Sequence, residues 1–334
     1  KESKGGLPSG KMGKVGLAVS PADANVVYAI VEAEGDASGF YRSTNKAATW
    51  EKMSKHSTSG NYYQEIVCDP KDADKVFALD TWLHHSLDGG KTFVATGEKQ
   101  KHVDNHCMWI NPNNTDHWIL GCDGGIYETY DHAKTWQYKA NLPVTQFYKV
   151  SVDYDTPFYN VYGGTQDNSS QGGPSRTLNN AGILNSDWYI TVGGDGYETQ
   201  VDPTNPNIVY SQWQYGGLVR YDKQSGERIG IKPQPGKGEA ANRWNWDSPL
   251  LISSHDSKTL FFCANKVFKT EDRGNTRKAI SPDLTRQLDR NQMKVMGEIQ
   301  SPDRVMKNKS TTIYGNIVAF DQSPVNANIL YAGT

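Results

Sequence analysis

His85-Ser86-Leu87-Asp88-Gly89-Gly90-Lys91-Thr92-Phe93 decides the fold of this chain. Asp88-Gly89-Gly90 sets a side-chain acceptor and two glycines in a tight turn, and Phe93 closes the strand that follows. The frame returns as Ser43-Thr44-Asn45-Lys46-Ala47-Ala48-Thr49-Trp50 and as Thr129-Tyr130-Asp131-His132-Ala133-Lys134-Thr135-Trp136. Its first hydroxyl residue therefore falls at 43, 86 and 129, an even spacing of 43 residues. A fourth copy is Thr270-Glu271-Asp272-Arg273-Gly274-Asn275-Thr276-Arg277. The same turn recurring in one register marks a repeat protein.

A second repeat runs in phase with the first. A short apolar strand passes a polar turn with Pro and Asp or Asn, then returns through a strand ending in Tyr or Phe. The copies start at Val15, Ile66, Met108, Val150, Thr199, Leu250 and Ile317, and their return strands end near Tyr28, Phe77, Leu120, Tyr162, Tyr210, Phe262 and Tyr331. Four antiparallel strands per ~40–50 residues is the pattern of a β-propeller blade. The expected fold is all-β, a single propeller of about seven four-stranded blades with the last one incomplete. The blades fall at 14–60, 61–100, 101–145, 146–192, 193–240, 241–285 and, in part, 311–334, with 286–310 as an insertion that has room for a short helix. Short strands also suit a sandwich, but a sandwich does not repeat one turn at one register. In blade four, Gly163 to Pro174 replaces the aspartate turn and reads as a long glycine-rich loop. In blade five the turn decays to Tyr221-Asp222-Lys223-Gln224-Ser225-Gly226. Ala332-Gly333-Thr334 stops where another half-blade should start, and Lys1–Gly13 does not supply it. The expectation is that the remainder of the same polypeptide completes the ring.

Charge is balanced at 35 basic against 37 acidic residues, which gives no nucleic-acid or electrostatic membrane surface. No apolar run reaches the ~20 residues of a membrane span. Eighteen tyrosines, nine tryptophans and 32 glycines suit a turn-rich β protein. Lys1 follows no initiator Met or signal peptide, so the chain reads as a processed or cut piece. Four cysteines make no disulfide framework. Cys107 and Cys122 flank a hairpin and so could be bridged; the plainer expectation is four buried thiols.

The turn residues themselves (Ser43 and Trp50; Ser86, Asp88, Gly90 and Phe93; Thr129, Asp131 and Trp136; Thr270, Asp272 and Gly274) read as structural. Their acids bond backbone donors of their own hairpins and their aromatics pack between sheets. His102-x-Asp104-x-His106 alternates three ligand-type side chains on one face of a predicted strand. That face suits a hydrogen-bonded Asp104–His106 pair better than a metal, because three such positions spread over ~13 Å of extended chain. Gln166-Asp167-Asn168 and Arg243-Trp244-Asn245-Trp246-Asp247 are binding candidates, with Trp244 and Trp246 sharing a face if extended. Their plain alternative is packing between blades. No metal or cofactor is implied, and no nucleotide loop, nucleophile elbow or zinc spacing occurs.

The frame Ser-x-Asp-x-Gly-x-Thr-Trp resembles the Asp-box, or BNR repeat, of sialidases, xyloglucan-cleaving glycoside hydrolases and sortilin-type (VPS10) receptors. Longer stretches are similar to large exported bacterial BNR-repeat, sortilin-like glycosyl-hydrolase-type proteins. They are His102-Val103-Asp104-Asn105-His106 with Trp109, Gly121-Cys122-Asp123-Gly124-Gly125, Asn141-Leu142-Pro143 with Gln146-Phe147-Tyr148, Gly164 with Gln166-Asp167-Asn168, Gly193-Gly194-Asp195-Gly196, and Ser281-Pro282-Asp283-Leu284-Thr285. Asn45, Ala47, Ala133 and Arg277 depart from the repeat. The resemblance implies a secreted, periplasmic or cell-surface propeller that binds a glycan, peptide or partner protein. Its alternative is a xyloglucanase-like glycoside hydrolase with Asp123 and Asp195 as the carboxylate pair, which requires a separation of ~5–9.5 Å. The plain reading of both is a turn aspartate. A sialidase is disfavoured because no arginine lies in that family's Arg-Ile-Pro pattern.

Overall fold

The computed structural model describes residues 5–142, 144–309 and 313–334. Pro143 of the family-like motif and residues 310–312 at the start of the expected last blade lie outside them. Six four-stranded antiparallel sheets follow one another along the chain, at 12–54, 65–95, 105–138, 149–192, 196–230 and 250–279. Each is a simple meander in which sequence order equals spatial order. Two strand pairs, at 294–299 and 319–333, complete the described β-structure. The fold is all-β, built from propeller-type blades. Among the described residues no helix is long and apolar enough to cross a membrane.

The described structure divides into two compact units. The first holds Lys1–Pro143 with Lys294–Lys309, and the second Val144–Met293 with Ser310–Thr334. Within each unit, the first strand of every sheet lies against the first strand of the next, as Met12–Val19 does against Glu65–Cys68 and Lys149–Val152 against Gly196–Val201.

Local hydrogen bonds explain why the two repeats stay in phase. Seven described hairpins between first and second strands close through the same backbone bond: Ser20 to Val26, Asp69 to Lys75, Asn111 to His117, Asp153 to Asn160, Asp202 to Ile208, Ser253 to Thr259 and Ser323 to Ile329. The side chain of each first residue accepts the N–H two positions on. Such side chains cap turns because they satisfy donors the bend leaves unpaired. In the box turn at 86–93, Ser86 Oγ donates to Asp88 Oδ1 at 2.8 Å and accepts Gly90 N–H at 2.8 Å. Asp88 also accepts Thr92 N–H at 2.9 Å and Thr92 Oγ1–H at 2.7 Å. The turns at 43, 129 and 270 repeat this geometry. A further bond clips each box to the hairpin of its own sheet: Lys46 to Asn25, Gly89 to Asp74, His132 to Asp116 and Arg273 to Lys258. The degenerate turn of the fifth sheet keeps this clip, from Lys223 to Asn207.

Two successive residues of each box take left-handed φ, with Gly89 and Gly90 at 71° and 92° but Lys46 and Ala47 at 58° and 64°. A side chain there costs about 1 kcal/mol per residue, which the box hydrogen bonds offset. Between sheets the core is aromatic and aliphatic. Trp118, Phe77, Leu79 and Leu120 are fully buried between the second and third sheets, and each contributes ~1.5–3 kcal/mol by leaving water.

Three expectations need correcting. The stretch from Gly163 to Pro174 is no long loop. It forms the end of strand Asn160–Gly164, a five-residue turn and strand Ser170–Pro174. Its glycines are there because rings cover them; a Cβ on Gly173 would meet Trp188 Cδ2 at 2.5 Å. Among the described residues of this insertion, 286–309, there is a single 3-10 turn, Arg290–Gln292, and the short pair Lys294–Val295 with Glu298–Ile299, rather than an α-helix. All four cysteines are free thiols and Cys107 is exposed, because a bulge pairs Cys122 with Asn105 and leaves Cys107 opposite Gly121.

Candidate functional site

The meander fixes where chemistry has room. Turns from strand one to two and from three to four share one end of every sheet, and these are the repeated, self-satisfied turns. Loops from strand two to three, and linkers to the next sheet, share the other end. The candidate residues gather there in both units.

In the first unit the foundation is a buried ion pair that the sequence reading missed. Lys101 Nζ lies 2.8 Å from Glu98 Oε1, with the two side chains 0% and 3% exposed. The ammonium also donates to Asn105 Oδ1 at 2.7 Å and to the His102 carbonyl at 2.5 Å, and stands 5.5 Å from the Trp136 ring centre. Such a pair tolerates burial only with its remaining donors and acceptors filled. Asn105 spreads the network by donating to Glu98 Oε1 at 2.9 Å and to the Asp80 carbonyl at 3.0 Å. Backbone bonds from Asp104 to Thr81 and from Asn105 to Asp80 seat the segment on the second sheet.

Asp104 rides on this base with a φ of 64°, so the strand Asn105–Ile110 starts only after it. His102, Asp104 and His106 therefore do not share a strand face, and Asp104 is not paired with His106. His102 Nδ1 binds the Val103 carbonyl at 2.9 Å and its Cβ fills the space over Gly124. Asp104 Oδ1 instead accepts Tyr63 O–H at 2.5 Å. Tyr63 stacks on His106 with ring centres 5.0 Å apart, and His106 Nε2 lies 3.1 Å from Asp123 Oδ1. Carboxylate oxygens of Asp104 and Asp123 are within 4.8 Å of each other. Burial and the Asp104 contact push the Tyr63 hydroxyl well above its ordinary range, so it stays a donor. Tyr62 packs edge-on to Tyr63 with ring centres 6.3 Å apart and keeps 52% of its surface exposed.

In the second unit the turn at 165–169 carries Gln166, Asp167 and Asn168. Thr165 N–H donates to the Ser169 carbonyl, Ser169 N–H to that of Gly194, and Gly196 N–H back to that of Thr165. Only glycine fits at 196, since a Cβ would meet Ser169 C at 2.4 Å. Asp195 Oδ1 accepts Asp167 N–H at 3.0 Å, and Asp195 N–H donates to Gln214 Oε1 at 2.9 Å. Tyr148 O–H donates to Gln166 Oε1. Lys149 pairs with Glu198 at 3.3 Å and lies 5.2 Å over the Tyr197 ring.

Asp247 closes the tryptophan-rich stretch that begins at Arg243. Burial, reinforced by the Asp195 charge, pushes its carboxyl up, and its buried Oδ1 has no hydrogen-bond partner among the described residues.

Arg243, Trp244 and Trp246 do not form a binding face. Trp244 is core, stacked on Phe268 at 5.7 Å and tilted against Phe262 at 4.8 Å, because residues 241–249 are irregular and turn it inward. Trp246 packs edge-on to Tyr215 at 5.1 Å. Arg243 is a staple that donates to the Gly315 carbonyl at 2.8 Å, to Asp283 Oδ2 at 2.7 Å and to Thr285 at 3.0 Å. Beside it the 285–288 and 313–318 segments enclose a groove of about 340 Å³. Asp123 belongs to the first unit and Asp195 to the second.

No family profile matches the chain. It is 23% identical over 284 residues to the xyloglucanase Xgh74A of Acetivibrio thermocellus, covering 74% of this chain and 33% of that protein. The chain thus spans about a third of the curated relative it matches. Among solved structures it aligns with the GH74 xyloglucanase of Xanthomonas campestris at 15% identity and a TM-score of 0.35, over 98% of this chain and 51% of that one. It also aligns with YCF48 from Cyanidioschyzon merolae at 13% identity and a TM-score of 0.30, over 84% and 89%. The all-β, blade-built class of the chain is carried by its own sheets, and what it is similar to is a xyloglucanase, in part and at a distance.

Proposed function

We propose that the chain is a glycan-binding propeller module of an exported protein. The supporting observation is the cluster on the first unit, where the exposed Tyr62, edge-on to Tyr63 with ring centres 6.3 Å apart, adjoins the Tyr63–Asp104 and His106–Asp123 pairs. Flat aromatic surface beside fixed hydrogen-bonding groups suits the alternating apolar and hydroxyl faces of a pyranose. The buried Lys101–Glu98 pair holds those groups in place before any ligand arrives, which lowers the ordering cost of binding. The xyloglucanase relative favours a neutral glucan over a peptide or protein partner.

Binding is preferred to hydrolysis because Asp123 lies 3.1 Å from the His106 imidazole and Asp195 accepts a backbone N–H. A hydrolase remains the second reading on one observation. Asp247 is a carboxyl raised by burial, the environment expected of a general acid.

Calorimetry of the intact protein with xyloglucan oligosaccharides, paired with a reducing-sugar assay, separates the two readings. The expected result is binding without sugar release, weakened about tenfold or more by Tyr62→Ala, in line with the usual loss of an aromatic anchor. Sugar release abolished by Asp247→Asn would establish the hydrolase instead. Failure to bind any glycan on an array removes both.

A further inference from the structure

The apolar rows packed between the first two sheets end in polar residues at the loop end. Side chains alternate on strand Val27–Ala33, so Tyr28, Ile30 and Glu32 share one face. Tyr28 and Ile30 lie in the core with Cys68 and Ile66 of the second sheet. Gln64 continues the Cys68–Ile66 row one step beyond strand Glu65–Cys68. Glu32 and Gln64 are only 9% and 2% exposed, and Thr58, in the linker between the two sheets, is 7% exposed.

The backbone is shaped around these side chains. A Cβ at Gly60 would meet Glu32 Oε1 at 2.5 Å, and one at Gly13 would overlap Oε2, so the carboxylate fits because both positions are bare. Gln64 holds a φ of 106°, a strained value for a residue with a side chain and one that persists only where the surroundings enforce it. Its Nε2 donates to the Thr58 carbonyl at 3.4 Å, which sets the amide beside Thr58.

The pocket lacks positive charge. Glu32 accepts Lys14 N–H at 3.1 Å, but the Lys14 ammonium turns to Glu65 at 3.5 Å, and no other cationic side chain among the described residues pairs with Glu32. Gln64 Oε1 and Thr58 Oγ1 are buried with no hydrogen-bond partner among the described residues. Buried carboxylates are ordinarily paired with a cation or bound to a metal, and a buried oxygen left unpartnered is costly. A proton on Glu32 would serve one of the two orphaned oxygens. A metal ion serves both and the charge as well.

We propose that the Glu32 carboxylate, Gln64 Oε1 and Thr58 Oγ1 hold a calcium ion. Carboxylate, amide and hydroxyl oxygens are ligands for a hard cation. Calcium takes them in loose geometry and accepts a bidentate carboxylate, whereas magnesium demands a small octahedron and keeps several waters. With one acid among the ligands the site belongs at the weak end, with a Kd of about 10⁻⁴–10⁻³ M. The ion would fasten residues 58–64, which carry Tyr62 and Tyr63, to the first sheet. The assignment does not depend on what the candidate site binds.

Metal-dependent unfolding tests it. The 334-residue chain is stripped with EDTA, dialysed and melted with CaCl2 at ~10 mM, with MgCl2 at the same concentration, and with NaCl at equal ionic strength. Calcium is expected to raise the midpoint by ~3–8 °C and to saturate, while magnesium and sodium leave it within ~1 °C. Glu32→Gln should abolish the calcium shift, and Glu34→Gln, at an exposed position two residues on, should leave it intact. Thr58→Val keeps the shape and loses the oxygen, and should raise the calcium needed for half the shift by at least ~10-fold, a loss usual even for groups outside the ligand set. The proposal is overturned if calcium leaves the stripped chain unmoved, if magnesium or sodium moves it equally, or if the shift survives Glu32→Gln. Should Glu32→Gln fail to fold, Thr58→Val decides alone, and an unchanged calcium requirement overturns the proposal.

Discussion

The two ends of the sheets solve one problem in opposite ways. At the hairpin and box end, each turn satisfies its own donors with a side chain from the same turn, as Asp88 does for Thr92 and Asp69 for Lys71. At the other end, backbone groups are satisfied by distant residues. Asp104 is held by Thr81, Asn105 by Asp80 and Glu98, and Asp167 by Asp195. A self-contained turn can be copied without regard to its neighbours, and this chain copies it. A turn that depends on its neighbours is particular to one place, and every residue with candidate chemistry lies at such turns.

This contrast can be broken by mutation, taken here in order of expected size. Lys101→Met leaves the Glu98 carboxylate buried and unpaired, and should cost ~3–5 kcal/mol by urea denaturation. The double change Lys101→Met with Glu98→Leu should recover most of that loss, because the penalty is the orphaned charge rather than the missing bond. Ser86→Ala removes a buried hydroxyl that serves Asp88 and Gly90, and should cost ~1–2 kcal/mol, the usual loss on removing a cap. If Ser86→Ala proved the costlier change, the site end would not be the more interdependent one.

Acid should separate the ends by pH. Hydrogen bonds from Thr92, Thr135 and Thr276 hold Asp88, Asp131 and Asp272 down at about 2, against 3.8 ordinarily. Their stabilisation is complete above the unfolded value and fades as pH falls from about 4 towards 2. Burial, with His84 nearby, lowers His56 to about 4 from 6.5, so the folded protein resists its protonation. That contribution is complete above about 6.5 and is lost as pH falls to about 4, one window earlier. Stability measured from pH 8 to 2 should fall in two stages, and His56→Phe should remove only the first. The smallest effect is Ala47→Gly, expected to be neutral or to raise stability by up to ~1 kcal/mol by relieving left-handed strain. A clear loss there would mean that the methyl group packing near Trp50 outweighs the strain.

The repeated end was legible in the sequence because its chemistry is local. A Ser, an Asp and a Thr at fixed spacing specify their own hydrogen bonds, so the copies at 43, 86, 129 and 270 could be aligned by eye. The site end was legible only as a set of residues. His106 and Asp123 do meet, but Asp104 turned to Tyr63, which lies 41 residues away and carries no motif. Lys101 and Glu98 carry no motif, and only the tertiary packing around Trp136 makes them a buried pair. Trp244 and Trp246 would share a face only in an extended strand, and the chain there is irregular, so the plain alternative of packing applies to Trp244. Glycines at 163, 172 and 173 suggested a loop, when what required them was the neighbouring aromatic rings.

The hairpin bonds have a consequence for how the protein is made. Each closing bond spans six or seven residues, and each box bond spans two or four. The nucleus of every sheet thus lies within a short length of chain and can form as soon as that length has left the ribosome, before the next sheet exists. Synthesis then adds finished sheets to a growing stack, and the most recently made face is always the sticky one until its successor arrives.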